Sequence, residues 1–505
     1  MHSFSFTILP QDAMTTGNQM AIAVSEDQET SSFVQLPSPK LHEVFEPTRP
    51  TTVNRLVYTS SVLALFQVIH FGWSLFQLNF SKLNNERDCE ARPVVSGTCI
   101  MFPGHSSTEW LFVVNSWIVG GTVGALSSGY FADRFGRKKT MIANCFIMIA
   151  GSIIQASAPN LPVFVIGRGV AGVASAVGTT LSNGYVSEVA PPHLRGAIGT
   201  LYGFAVALGV FLVCLAFFVF DSSDGWRYIG GLPIVVPLVF LFFCRNDMVE
   251  SPAWLLLCHR QNEAEAVLAR LYGEENVALA IQWMKMSAAP NDTHKATWKS
   301  LFATRYRLQV TLAVHLPLSM QLCGMNAVSF YSSTIFKTAG IDDGRVGNLI
   351  IGIVFLVPSF IVPAMTNRFG NRKMLLGGKL AMLFAGTGLT IALVYKASTL
   401  SIVFIAIFGV SYMLTLCALS FPTGASVFPD AIRASGMSLM MLVNWLGTLF
   451  NGIAFPYIAS ALDDLAFLPF VVLIVYFLVF MYKYLPNTTG KTNEEIQQLF
   501  ASESR

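Results

Sequence analysis

Long apolar runs broken by short polar turns dominate the chain from Leu56 onward. A helix needs about 20 residues to cross roughly 30 Å of hydrocarbon, and twelve segments approach or exceed that length. In the first half they are Leu56–Phe80, Glu109–Phe131, Met141–Ser157, Pro162–Ser187, Gly196–Phe220 and Arg227–Cys244. In the second they are Leu308–Phe336, Val346–Thr366, Met374–Tyr395, Leu400–Ala425, Ala434–Ser460 and Phe467–Leu485. The polar stretch between them, His259–Arg307, carries Ala264, Val267, Leu268 and Leu271 at helical spacing, which predicts a short surface helix over Gln261–Tyr272. The expected layout is a tail at 1–55, a six-helix bundle at 56–245, a loop with short helices at 246–307, a second bundle at 308–485 and a tail at 486–505. The expected fold class is an all-α integral membrane protein with twelve transmembrane helices.

Composition fits this pattern. Only 12% of the 505 residues are charged and 53% are apolar. A Lys, Arg or Asp at the centre of a membrane helix costs roughly 2.5–3.5 kcal/mol, so charge belongs in the loops. Arg134, Arg137, Lys138 and Lys139 crowd the second connection, Arg195 the fourth, Arg368, Arg372 and Lys373 the eighth, and Arg433 the tenth. By the positive-inside rule both termini are expected in the cytoplasm. The first ~50 residues are polar, rich in Ser, Thr, Pro and Gln, and read as a disordered tail without the apolar core of a cleaved leader. The net charge of +3 is too small and scattered to point to nucleic acid. None of the eight cysteines falls in a C-x-x-C, so no metal or cofactor is expected.

Three landmarks recur about 235 residues apart. Gly129–Lys138 (GYFADRFGRK) returns as Asn367–Lys373 (NRFGNRK), Glu188…Arg195 returns as Ser426…Arg433, and Glu250-Ser251-Pro252 returns as Asn487-Thr488-Thr489. One period shared by three pairs indicates a duplicated membrane unit, the layout of a carrier whose halves rock about a central site.

These motifs, with Gly167-Arg168, Tyr185…Glu188…Pro191…Arg195-Gly196 and Gln321-Leu322-Cys323-Gly324-Met325-Asn326, resemble the major facilitator superfamily and, within it, the sugar porter family. The resemblance covers nearly everything from Leu56 onward. It implies two six-helix bundles working by alternating access on a hexose-like sugar. It also implies a charged latch of Asp133, Arg134, Arg137, Glu188, Arg195 and Glu250, with Arg368 and Arg433 from the second half. There every acid is replaced, Asp133 by Asn367, Glu188 by Ser426 and Glu250 by Asn487. The remaining cations are expected to meet carboxylates of the first half, lipid phosphate or water. Such an asymmetric latch should be weak and favour the inward-facing state.

Sugar recognition needs amides and hydroxyls with an aromatic face. The resemblance assigns Gln321 and Asn326 to sugar binding, Trp445 to the aromatic, Thr448 to an eleventh-helix polar position and Tyr331 to an outer lid. Gly324 makes a break in the seventh helix plausible. Other matched positions have lost polarity: Gly203, Met320, Phe355, Met413 and Phe421. Proton-driven relatives carry an Asp where Ser74 stands, two residues after Phe71-Gly72, while their usual partner Arg168 is retained. Facilitated diffusion is therefore expected, with His70 keeping proton symport open as the alternative. His70 and His315 also read as helix-packing imidazoles. Cys89 and Cys99 in the first external loop form either a disulfide or two free thiols. Asn79-Phe80-Ser81 fits a glycan acceptor but sits too close to the membrane. A transporter-fold sugar sensor and an organic-ion antiporter are the competing functions. No enzyme is expected, since neither a nucleophile–base pair nor a phosphate loop appears in the sequence. The solute, the cellular membrane (expected to be the plasma membrane) and the oligomeric state stay open.

Overall fold

The protein is described here by a computed structural model covering residues 53–79, 89, 92–95, 99–287, 301–328, 343–488, 491 and 493–503. Among these, ten helices are long and apolar enough to cross a membrane and two apolar helices are shorter, Gly344–Ser359 and Leu468–Tyr484, which makes twelve. The first half contains α1 (Arg55–Phe76), α2 (Ser107–Phe135), α3 (Arg137–Ser157), α4 (Leu161–Val189), α5 (Pro192–Val219) and α6 (Gly225–Asp247). Short helices α7 (Pro252–Leu257), α8 (Gln261–Tyr272) and α9 (Val277–Ser287) follow. The periodicity-predicted surface helix and α8 coincide.

The second half contains α10 (Arg307–Gln321), α11 (Gly344–Ser359), α12 (Val362–Phe369), α13 (Asn371–Val394), α14 (Thr399–Val427), α15 (Asp430–Leu462), α16 (Leu468–Tyr484) and α17 (Asn493–Glu503). The sequence reading ran Val346–Thr366 as one helix. The chain instead breaks between α11 and α12, where Pro358 and Pro363 remove backbone donors on either side of Phe360. Helix α14 carries a π-turn at Met413–Cys417.

Local chemistry explains several boundaries. Ser106 and Glu109 form a reciprocal capping box at the start of α2, and Asn160 caps α4 with Pro162 in its first turn. Helices α2 and α4 cross on small residues: a Cβ at Gly120 would lie 2.0 Å from the Gly169 carbonyl, and one at Gly172 would lie 2.0 Å from that of Trp117. Close backbone approach of this kind replaces the hydrophobic drive that lipid cannot supply.

The two halves meet chiefly along α5 with α11 and α2 with α15. Their polar cross-contacts sit near the end where α1 finishes and α2 begins. There Arg345 Nη1 is 2.6 Å from Asp221 Oδ2, and the Asn348 amide donates to the Asn79 carbonyl. Cys89 and Cys99 are disulfide-bonded at the same end.

Candidate functional site

At the opposite end, Arg137 opens α3 and is the hub of a charge cluster. Its Nε and Nη2 donate to Glu188 at 3.0–3.2 Å, and Nη1 donates to Asp133 Oδ1 at 3.1 Å. Glu250 serves a different purpose. Its Oε1 accepts the backbone N–H groups of Arg137 (2.8 Å), Lys138 (3.0 Å) and Ser251 (2.9 Å), placing a carboxylate on the positive end of α3. Gly136 makes this possible: φ is +96°, and a Cβ there would lie 2.5 Å from Glu250 Oε2. The Trp254 indole donates to the Asp133 carbonyl at 2.8 Å and ties α7 to the cluster. Arg134 is exposed, with its guanidinium 5.7 Å from the Phe135 ring, and Arg195 is exposed as well.

In the second half the sequence reading sent the surviving arginines to carboxylates, lipid or water. Arg433 instead donates to the Ala425 (3.0 Å) and Phe428 (3.3 Å) carbonyls, and Arg372 donates to that of Tyr482 (2.9 Å). They close helix C-termini. Arg368 lies 5.5 Å over the Phe369 ring. The appended helices do the same for α4 and α14. Tyr272 donates to the Val189 carbonyl at 2.7 Å and Gln497 to that of Val427 at 3.1 Å, positions one repeat apart. Burial pushes the Tyr272 phenol above its ordinary pKa, so this donor keeps its proton.

The centre of the bundle is built around the end of α10. Helix geometry stops at Gln321, Gly324 takes φ +98°, and a turn restarts with the Val328 N–H on the Gly324 carbonyl. Gln321 and Asn326 flank this break. The Asn326 amide donates to Gln321 Oε1, the Gln321 amide donates to Asn444 Oδ1, and Asn451 Nδ2 donates to the Gln321 carbonyl. Asn444 and Asn451 were missed by the sequence reading, although their spacing of seven puts both on one face of α15. Thr448, between them, spends its hydroxyl on the Asn444 carbonyl at 2.9 Å. Trp445 packs edge-on against Trp117 (5.4 Å) and Phe71 (6.0 Å), and its indole nitrogen is buried without a hydrogen-bond partner among the described residues. Tyr331 lies outside the described residues.

A second polar group joins α1 to α4. Arg168 donates to the Ser74 carbonyl (3.1 Å) and to Gln77 Oε1 (3.3 Å), with its guanidinium 5.6 Å from the Trp117 ring. No carboxylate pairs with Arg168 among the described residues. His70 Nδ1 is 3.0 Å from Ser175 Oγ, which also accepts the Trp117 indole N–H at 3.2 Å. His315 bridges the Thr311 carbonyl and the Tyr476 hydroxyl.

Two pseudo-repeated bundles around a broken helix and a central amide cluster define a membrane carrier. The chain matches the profile of the family described as "Sugar (and other) transporter" over residues 61–500, and it belongs to that family. It is similar to the glucose transporter GlcP of Staphylococcus epidermidis, 30% identical over 80% of this chain and 92% of the relative. The facilitated glucose transporter member 3 of Bos taurus is 31% identical over 78% of this chain and 83% of its own length. Among solved structures, the inward-open xylose transporter XylE of E. coli overlays with a TM-score of 0.72 at 22% identity, covering 88% of this chain and 99% of that one.

Proposed function

We propose that the protein carries a hexose-like sugar by alternating access, as facilitated diffusion, in the plasma membrane with both termini in the cytoplasm. The observation that carries this reading is the amide cluster of Gln321, Asn326, Asn444 and Asn451 beside Trp445 at a helix break. Neutral amides bond hydroxyls without the desolvation penalty of a charge. Here they bond one another, so an arriving sugar exchanges those contacts for its own, each worth about 0.5–1.5 kcal/mol net. Named relatives that transport glucose support the hexose class.

Absence of ion coupling is supported by Arg168. Its hydrogen bonds go to a carbonyl and an amide, and Ser74 offers no proton-binding carboxylate. Inward orientation is supported by the basic Arg137 end and the disulfide at the other. Polar contacts between the halves near the disulfide end fit a carrier closed outside and facing inward. The test is uptake of labelled glucose and fructose into proteoliposomes, with and without an inward proton gradient. Saturable uptake indifferent to the gradient is expected. Gradient-driven accumulation would overturn the uncoupled mechanism, and no uptake above empty vesicles would overturn the hexose assignment.

A further inference from the structure

Helix α10 ends inside the membrane, so its last four carbonyls need partners that lipid cannot provide. Each has one. The Leu318 carbonyl accepts the Leu322 N–H at 2.8 Å, and the Met320 carbonyl accepts Cys323 Sγ–H at 3.0 Å. The Gln321 carbonyl accepts the Asn451 amide at 3.3 Å. The Ser319 carbonyl accepts Lys379 Nζ at 3.1 Å, and this partner is unlike the rest. Lys379 lies mid-way along α13, is fully buried, and has the Phe477 ring 5.2 Å away. Among the described residues no carboxylate pairs with it. A buried ammonium without an acid is rare in a membrane bundle, because its desolvation must be offset by something else. The negative end of a helix dipole supplies that offset.

We propose that Lys379 is a positioning residue: its ammonium closes the C-terminal end of broken helix α10 and thereby holds Gln321 and Asn326 in the amide cluster. The contact joins α13 to α10 two residues before Gln321, so its loss frees the segment that carries both amides. Lys379 does not touch the sugar. It acts through the carbonyl of Ser319.

The test compares wild type, Lys379→Met and Lys379→Arg as full-length protein, each confirmed monodisperse and cooperatively melting. Amide hydrogen exchange over residues 319–326 should quicken about tenfold in Lys379→Met, the scale of one lost charge-assisted hydrogen bond. Exchange over 107–135 should stay unchanged. KM for glucose uptake should rise about tenfold with maximal rate within about threefold. Lys379→Arg, which keeps a cationic donor, should restore most of both. The uptake readout rests on the hexose-carrier reading; the exchange readout does not. A folded Lys379→Met with wild-type exchange over 319–326 overturns the inference, as does quickening spread equally over 107–135. Local quickening in Lys379→Met, together with a wild type that takes up no glucose, upholds the role of Lys379 while refuting the hexose assignment.

Discussion

The two halves solve one problem, closing helix ends at the membrane surface, with different chemistry. In the first half, side-chain charge does it: Arg137 gathers Glu188 and Asp133 while Glu250 caps α3. In the second half Arg137 is matched by Asn371, and Asp133, Glu188 and Glu250 are matched by Asn367, Ser426 and Asn487. The hub cation and its acids are replaced together, which leaves no stranded charge. Arg372 and Arg433 turn to backbone carbonyls. Both sets of contacts stay within their own half: the Arg137 cluster joins α2, α3, α4 and the segment before α7, and the carbonyl caps join helices of the second bundle. The comparison teaches that one repeated architecture closes its helix ends with paired side-chain charge in one copy and with backbone acceptors in the other.

Substitutions can break that contrast in order of expected effect. Arg137→Met strands Glu188 in a partly buried site and should lower stability by about 2–3 kcal/mol and transport rate by tenfold or more. Arg372→Met should change transport less than threefold, and equal losses in the two variants would erase the distinction. Gly136→Ala forces a side chain into positive φ and against Glu250, an expected loss of about 1–2 kcal/mol in thermal unfolding. Glu250→Gln keeps an acceptor but removes the charge facing the α3 dipole. It should cost about 0.3–1 kcal/mol, with the deficit shrinking at high salt. Smallest is Arg345→Met at the disulfide end. Loss of the Asp221 pair, worth about 0.2–1 kcal/mol, should raise outward-facing cysteine accessibility by no more than about fivefold. A larger shift would make that pair the main contact holding the halves together at the disulfide end.

The spans were readable because apolar length is a local property, and α8 because its stripe repeats at 3.6 residues. The break after Ser359 was missed although Pro358 and Pro363 mark it, since hydropathy stays high across the gap. At the centre, Gln321 and Asn326 were found through a motif. Asn444 and Asn451 were not, because their partners lie more than a hundred residues away in sequence. Lys379 is a single cation within an apolar span, and its partner is a backbone carbonyl that no sequence pattern displays. Glu250 reads in the sequence as a carboxylate for arginine pairing or for capping a helix N-terminus. Its bonds are to the N–H groups of α3, a cap that depends on how a distant loop returns.

The π-turn at Met413–Cys417 has a consequence for how this chain tolerates change in length. A π-turn holds one residue more than an α-helix needs for the same register. Removing one residue within it should let the ordinary ladder close while both flanks of α14 keep their neighbours. A deletion elsewhere in a spanning helix turns every side chain beyond it by about 100°. Within α14, these five residues are the place where the membrane bundle can lose one and still fit together.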